Sequence, residues 1–150
     1  MEQISKKINE IKVESNILYV IATPIGNLGD ISLRALKILS SLDIIFCEDT
    51  RITGKLLKHY GIKPNKLEVY NDHSYQKHRQ LIINKIKNSN IKFGLVSDAG
   101  TPLISDPGYK LVKECIKNSI KITHVPGASA LTTSIVLSGL PSHNFFLEDF

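Results

Sequence analysis

The residues best equipped for chemistry sit in one loop: Ser97-Asp98-Ala99-Gly100-Thr101-Pro102-Leu103-Ile104-Ser105-Asp106-Pro107-Gly108. It combines hydroxyls, two carboxylates, two glycines and two prolines. Glycine lets backbone approach a ligand closely, proline stiffens the path, and Asp98 can accept hydrogen bonds from a ligand hydroxyl or amine. The same residues also suit a plain, well-capped strand-to-helix connection, and residue types alone leave both readings open. A second set, Glu48-Asp49-Thr50-Arg51, offers two acids for proton transfer and an arginine for a phosphate. Taken alone, it reads first as a helix N-cap with a local ion pair, because acidic N-terminal turns are ordinary. Pro24-Ile25-Gly26-Asn27-Leu28-Gly29-Asp30 could also touch a ligand, but it is neither a G-x-G-x-x-G fingerprint nor a Walker A loop. In Pro126-Gly127-Ala128-Ser129-Ala130, Ser129 or Gly127 falls near a helix start, where free amides can hold a carboxylate. His73 and His78 are not at helical ligand spacing, and no carboxylate completes a set, so no metal site is expected.

The elements that must position these residues alternate. Apolar, β-branched runs predict strands at Leu18–Ala22, Ile44–Cys47, Lys66–Tyr70, Ile91–Val96, Ile120–Val125 and, at the end, Phe145–Glu148. Between them lie helical patterns. Asp30 should cap a helix carrying Ile31, Ala35, Ile38 and Leu42; Asp49 or Thr50 should cap one carrying Leu56, Leu57 and Tyr60, with Gly61 as its stop. Ser74 should open a basic helix to about Asn88 with Leu81, Ile82 and Ile86 as its apolar stripe. Asp106 should cap, with Pro107 in the first helical position, a helix carrying Leu111, Val112, Cys115 and Ile116. A last helix, Leu131–Ser138, should stop at Gly139. Residues 1–16 form a polar extension; Ile4, Ile8 and Ile11 permit a short amphipathic helix, and the scarcity of apolar residues equally permits disorder. The alternation predicts an α/β fold: an open, mostly parallel sheet with helices on both faces. The small-residue loops at 23–30, 97–105 and 126–130 then share the carboxyl edge and should feed a single cleft.

Bulk properties narrow the class. A chain of 150 residues makes one ordinary domain, and 42% hydrophobic with 22% charged residues is a globular composition. The net charge of +5 is compatible with nucleic acid or an acidic partner and leans slightly towards RNA. Cys47 and Cys115 lie in apolar segments without a CxxC, as reduced core residues of a cytosolic protein would. No secretory h-region and no membrane-length apolar run is present.

Four blocks in order now carry a resemblance: Ala22 to Asp30, Glu48 to Arg51, Ser97 to Gly108, and Val125 to Ala130. Over roughly residues 17–149 the chain resembles the tetrapyrrole methylase superfamily and, within it, the family of ribosomal small-subunit RNA methyltransferases I, in its N-terminal portion. The resemblance implies an S-adenosylmethionine-dependent, cytoplasmic enzyme. Such an enzyme 2′-O-methylates a cytidine ribose in 16S rRNA of the small ribosomal subunit, near the decoding centre. It also implies a homodimer that engages neither DNA nor membrane. By motif, Ser97, Asp98, Ala99, Gly100, Thr101, Ile104, Ser129 and Ala130 should bind the cofactor. Pro24, Gly26, Asn27 and Asp30 should form a substrate-side loop, with Glu48, Asp49 and Arg51 as the catalytic set. Three departures stand out: Asp149 occupies a position where glycine is usual, Ala128 one where proline is usual, and the chain stops where family members continue into a second domain. The last implies a missing part of the cofactor wall. It keeps open a rival reading, a catalytically inactive remnant that only dimerises or binds RNA weakly. A methylase acting on a tetrapyrrole or a protein residue is the remaining alternative, and the Glu48–Arg51 block argues against it by resemblance.

Overall fold

The computed structural model describes residues 2–73 and 75–148. Five parallel strands form one sheet: β1 (Ile17–Ile21), β2 (Ile44–Cys47), β3 (Lys66–Val69), β4 (Phe93–Leu95) and β5 (Lys121–Val125), in spatial order β3-β2-β4-β1-β5. Leu18 lies opposite both Phe93 of β4 and Ile122 of β5, so β1 is a central strand. Its residues Ile17 to Ile21 are all buried, as a strand covered on both faces requires.

Helices cover the two faces. On one, α4 (Gln76–Asn88) and α5 (Tyr109–Lys117) bring Ile82, Ile83, Ile86, Leu111 and Cys115 against Leu18, Val20, Phe46 and Phe93. The rings of Phe46 and Phe93 stack there with centroids 6.1 Å apart. On the other, α2 (Leu33–Leu39) and α3 (Thr50–His59) bring Ala35, Ile38, Leu39 and Leu57 against Tyr19, Ile21, Ile45 and Cys47. Both cysteines are buried free thiols, and burial pushes Cys115 up to about 12. The predicted open parallel sheet with helices on both faces is therefore the observed fold.

The extension contains a helix, α1 (Glu2–Asn9). Its far end is tied down: the Asn16 side-chain amide donates to the carbonyls of Ile86 and Lys87, each at 2.9 Å, closing the end of α4.

Several local expectations are corrected. Ser32, not Asp30, caps α2, its Oγ accepting from Ala35 N at 3.0 Å; Asp30 instead ends a short 3-10 turn, Leu28–Asp30. The α5 helix starts at Tyr109 rather than at Pro107. The Gly108 between them has φ +131°, and a Cβ there would meet Leu95 Cδ2 at 2.7 Å, so this position both breaks the helix and demands glycine. Ser74 lies outside the described residues, and Tyr75 occupies the N-cap of α4. Phe145–Glu148 is irregular and exposed instead of a sixth strand: it pairs with neither edge strand of the described sheet, β3 or β5, although the outer edge of β5 is open. Helix α6 (Ala130–Leu137) begins one residue earlier than expected and is followed by Gly139 at φ +67°.

Candidate functional site

The carboxyl ends of β1, β4 and β5 converge, as the small-residue loops require. The β1 and β4 loops are zipped together: Thr23 N donates to the Gly100 carbonyl at 2.8 Å and Gly100 N to the Thr23 carbonyl at 3.0 Å. Gly100 has φ +84°, and a Cβ there would lie 3.3 Å from Ile25 Cγ2, so the zipper needs glycine. Thr101 Oγ1 donates to the Ala128 carbonyl at 3.1 Å and joins the β4 loop to the β5 loop. The helices after β1 and β4 pack on opposite faces of the sheet, which makes this a topological switch point, the usual ligand position in such sheets.

A cavity of about 340 Å³ opens beside this junction. Ala99, Gly100, Thr101, Ile104, Ser129 and Ala130, six of the eight residues assigned to the cofactor, line it. The remaining two stand behind it. Ser97 is buried, its hydroxyl within reach of the Ala99 and Gly100 carbonyls and of the Asp106 carboxylate. Asp98 turns towards β2, its Oδ1 accepting from Asp49 N at 3.2 Å. Leu131 and Ser134 of α6, Ser105 and Asp106 of the β4 loop, and Leu147 also line the cavity. Sequence reasoning did not assign these five to the site. Ser105 and Asp106 lay in the loop it singled out, where capping chemistry gave Asp106 to α5; Leu131, Ser134 and Leu147 carried no signal.

The true cap of α5 comes from the β3 loop. Asp72 accepts from Gly108 N at 3.1 Å, from Lys110 N at 3.3 Å and from the Tyr70 hydroxyl at 2.8 Å. Asp106 is thereby left to the cleft. Burial raises its pKa, helped by the Asp98 charge and opposed by the Ser97 hydrogen bond. Glu48 accepts from Asp98 N at 3.3 Å, and burial, then the Asp106 charge, raises its pKa too.

Asp49 differs from both. It caps α3, accepting from Arg51 N at 2.7 Å, and holds the Arg51 guanidinium at 2.5 Å. Arg51 keeps Asp49 down to about 2. The Arg51 side chain is 85% exposed beyond this pair, so it still faces solvent. Pro24, Gly26, Asn27 and Asp30 line neither this cavity nor the second one described below. Pro24 is buried, Asn27 caps the 3-10 turn through Gly29 N at 2.9 Å, and the Tyr60 hydroxyl donates to the Leu28 carbonyl. That loop is anchored to the end of α3.

A profile of the tetrapyrrole (corrin/porphyrin) methylases matches residues 17–150. The chain belongs to this family. Among curated relatives, the ribosomal RNA small subunit methyltransferase I of Vibrio cholerae is 51% identical over 134 residues, 89% of this chain and 46% of that protein. The Rickettsia prowazekii protein of the same name is 53% identical over 134 residues, 89% of this chain and 47% of that one. The chain thus spans about half the length of the curated relatives it matches. Among solved structures, a diphthine synthase superposes with a TM-score of 0.65 at 18% identity, over 87% of this chain and 51% of that one. A uroporphyrin III C-methyl transferase from Thermus thermophilus gives 0.56 at 19%, over 83% and 52%. At those identities the likeness is one of fold. Among the described residues no helix is long and apolar enough to cross a membrane.

Proposed function

We propose that this methylase-family chain carries the cofactor-binding part of an S-adenosylmethionine-dependent rRNA methyltransferase. Its reaction is 2′-O-methylation of a cytidine ribose in 16S rRNA near the decoding centre. The observation that carries the reading is the cavity between the β4 and β5 loops, found in a chain about half identical to relatives named for rRNA methylation. The chemistry of its wall fits the cofactor. Ala99, Ile104, Ala130 and Leu131 are apolar, and Thr101, Ser129, Ser134 and Asp106 supply a few polar groups. Ser129 makes no side-chain cap bond to α6, so the helix's first amides are open to a carboxylate. Glu48, Asp98 and Asp106 give the edge a negative field that suits a sulfonium cation.

Bound S-adenosylmethionine would supply an electrophilic methyl carbon. The chain's part is then to align the ribose hydroxyl and to take its proton. Of the two acids proposed for this, Glu48 is the freer, because Asp49 is spent on the α3 cap and on Arg51. Arg51 keeps an exposed face for a phosphate. The compartment implied is the cytoplasm. A homodimer belongs to the same reading, supported by the apolar side chains Val136, Leu137, Leu140, Phe145 and Phe146, all at least 60% exposed.

Calorimetric titration of the 150-residue chain with S-adenosylmethionine tests the proposal. Saturable binding that disappears in Gly100→Val is the expected result. A folded chain that binds nothing would show that these residues do not hold the cofactor by themselves and would favour the inactive-remnant reading. Transfer of label to under-methylated small subunits, with the product mapped to ribose or base, tests the acceptor.

A further inference from the structure

A second cavity, of about 600 Å³, lies on the other side of the β4 loop, between the β3 loop and the start of α5. Asn71, His73, Leu103 and Tyr109 line it, and it shares Ser105 and Asp106 with the first cavity. One stretch of backbone, at Ser105 and Asp106, therefore forms a wall common to both cavities. That wall is held in a costly conformation: Leu103 and Ser105, neither of them glycine, have φ of +76° and +57°. Such backbone survives only where its surroundings enforce it. Here the Asp72 bonds to Gly108 N and Lys110 N hold the loop's far end.

Resting on the methyltransferase reading above, we infer that this second cavity receives the acceptor nucleoside of a single-stranded RNA segment. Methyl transfer needs donor and acceptor in contact, and cavities that share Ser105 and Asp106 place the two molecules side by side at that edge. The lining suits a splayed-out base. The Tyr109 ring is 58% exposed and can stack, while Asn71 and His73 carry groups that can read a base edge. The rim suits its phosphates. Two cations of α5 stand beside it: Lys110, whose Nζ donates to the Asp72 carbonyl at 2.9 Å, and Lys113. Lys113 Nζ stands 5.7 Å from the centre of the Tyr109 ring. Of the acids nearby, Asp72 is engaged by the amides at the start of α5 and Glu114 by Gln80 and Lys117, while Asp106 faces both cavities.

The test is fluorescence anisotropy of the 150-residue chain with a labelled, cytidine-containing RNA decamer over a salt series. Tyr109→Ala combined with Lys113→Glu should weaken binding at least about tenfold and flatten the salt slope by about one phosphate contact. Affinity for S-adenosylmethionine and the melting curve should not move. Lys58→Glu with Lys63→Glu, around the end of α3, should cost less than about twofold by the same salt argument. RNA bound equally well by wild type and the Tyr109/Lys113 variant removes the second cavity and leaves the methyltransferase reading standing. Equal losses in both variants also remove it. A wild-type chain that binds S-adenosylmethionine but no RNA removes the cavity and the RNA acceptor together.

Discussion

Helices α5 and α6 invite comparison. Each follows a small-residue loop at the carboxyl end of a parallel strand, and they run nine and eight residues. Yet α5 buries Leu111 and Cys115 completely, whereas α6 buries none of its residues. The N-terminus of α5 is satisfied from another loop by Asp72, while that of α6 has no side-chain cap. An amphipathic helix earns its stability by covering a sheet face. By that measure α5 belongs to the scaffold. The apolar α6 leaves Val136 and Leu137 exposed and Leu131 and Ile135 only half-buried, with amides open beside the cavity. One helix holds the β4 loop in place; the other offers surface to whatever the site binds.

The largest test of this contrast is truncation in each helix. Leu111→Ala should destabilise the chain by about 2–5 kcal/mol, because it empties space among Leu18, Phe93 and Ile82. Leu137→Ala, at a side chain 79% exposed, should leave unfolding within about 0.5 kcal/mol of wild type. Denaturant titration measures both. Sedimentation adds a second axis: if α6 is where copies of the chain meet, Leu137→Ala weakens self-association without changing the unfolding of the monomer. Equal destabilisation by the two substitutions would mean that α6 is packed against the core after all.

A smaller difference is expected at the helix starts. Asp72→Ala removes a carboxylate that accepts from two α5 amides and the buried Tyr70 hydroxyl, which should cost about 1–3 kcal/mol. Ser129→Ala deletes no cap bond and should be near neutral for stability. Because Asp72 holds the β4 loop through Gly108, Asp72→Ala should also loosen S-adenosylmethionine binding, and Asp72→Asn should restore part of both losses. Thermal melts and calorimetry on the three variants decide this. A stability loss with no change in affinity would separate the cap from the site.

The sheet was legible because buried parallel strands are written as short apolar runs. Ile44–Cys47 was placed to the residue, and the other four strands within two residues at either end. The Asp49–Arg51 cap and pair was legible for a similar reason: it is local, and acids at helix starts have few other uses. What escaped was non-local. Asp72 caps a helix that starts 37 residues later, and no spacing rule connects the two. Asp106 looked like the cap because Asp-Pro is good capping chemistry, but the positive φ of Gly108 displaced the start. Phe145–Glu148 has the composition of a strand, but composition does not bring a segment to a sheet edge, and it leaves the open edge of β5 unpaired. The cavity wall was partly legible: the loop motif brought out Gly100 and Thr101, whereas Leu131 and Ser134 entered only once α6 had a position.

The smallest expected effect concerns the carboxylates that the two helices leave behind. Asp106, released from capping, and Glu48 beside it have raised pKa values, chiefly through burial. The folded chain therefore binds protons there more readily than the unfolded chain. Their contribution to stability falls as pH rises from the unfolded pKa through the folded one. Asp49 has the opposite sign: with its pKa held to about 2, its contribution is present above about pH 4 and lost as pH falls towards 2. Melting curves at pH 7 should thus show Asp106→Asn slightly more stable than wild type, with the gain shrinking on acidification. Asp49→Asn should be slightly less stable at pH 7, with its deficit closing only near pH 2. If Asp106→Asn were instead destabilising at pH 7, its carboxylate would be a structural anchor like Asp72. The stretch that both cavities share would then owe its shape to Asp106 rather than to the bonds that hold Gly108.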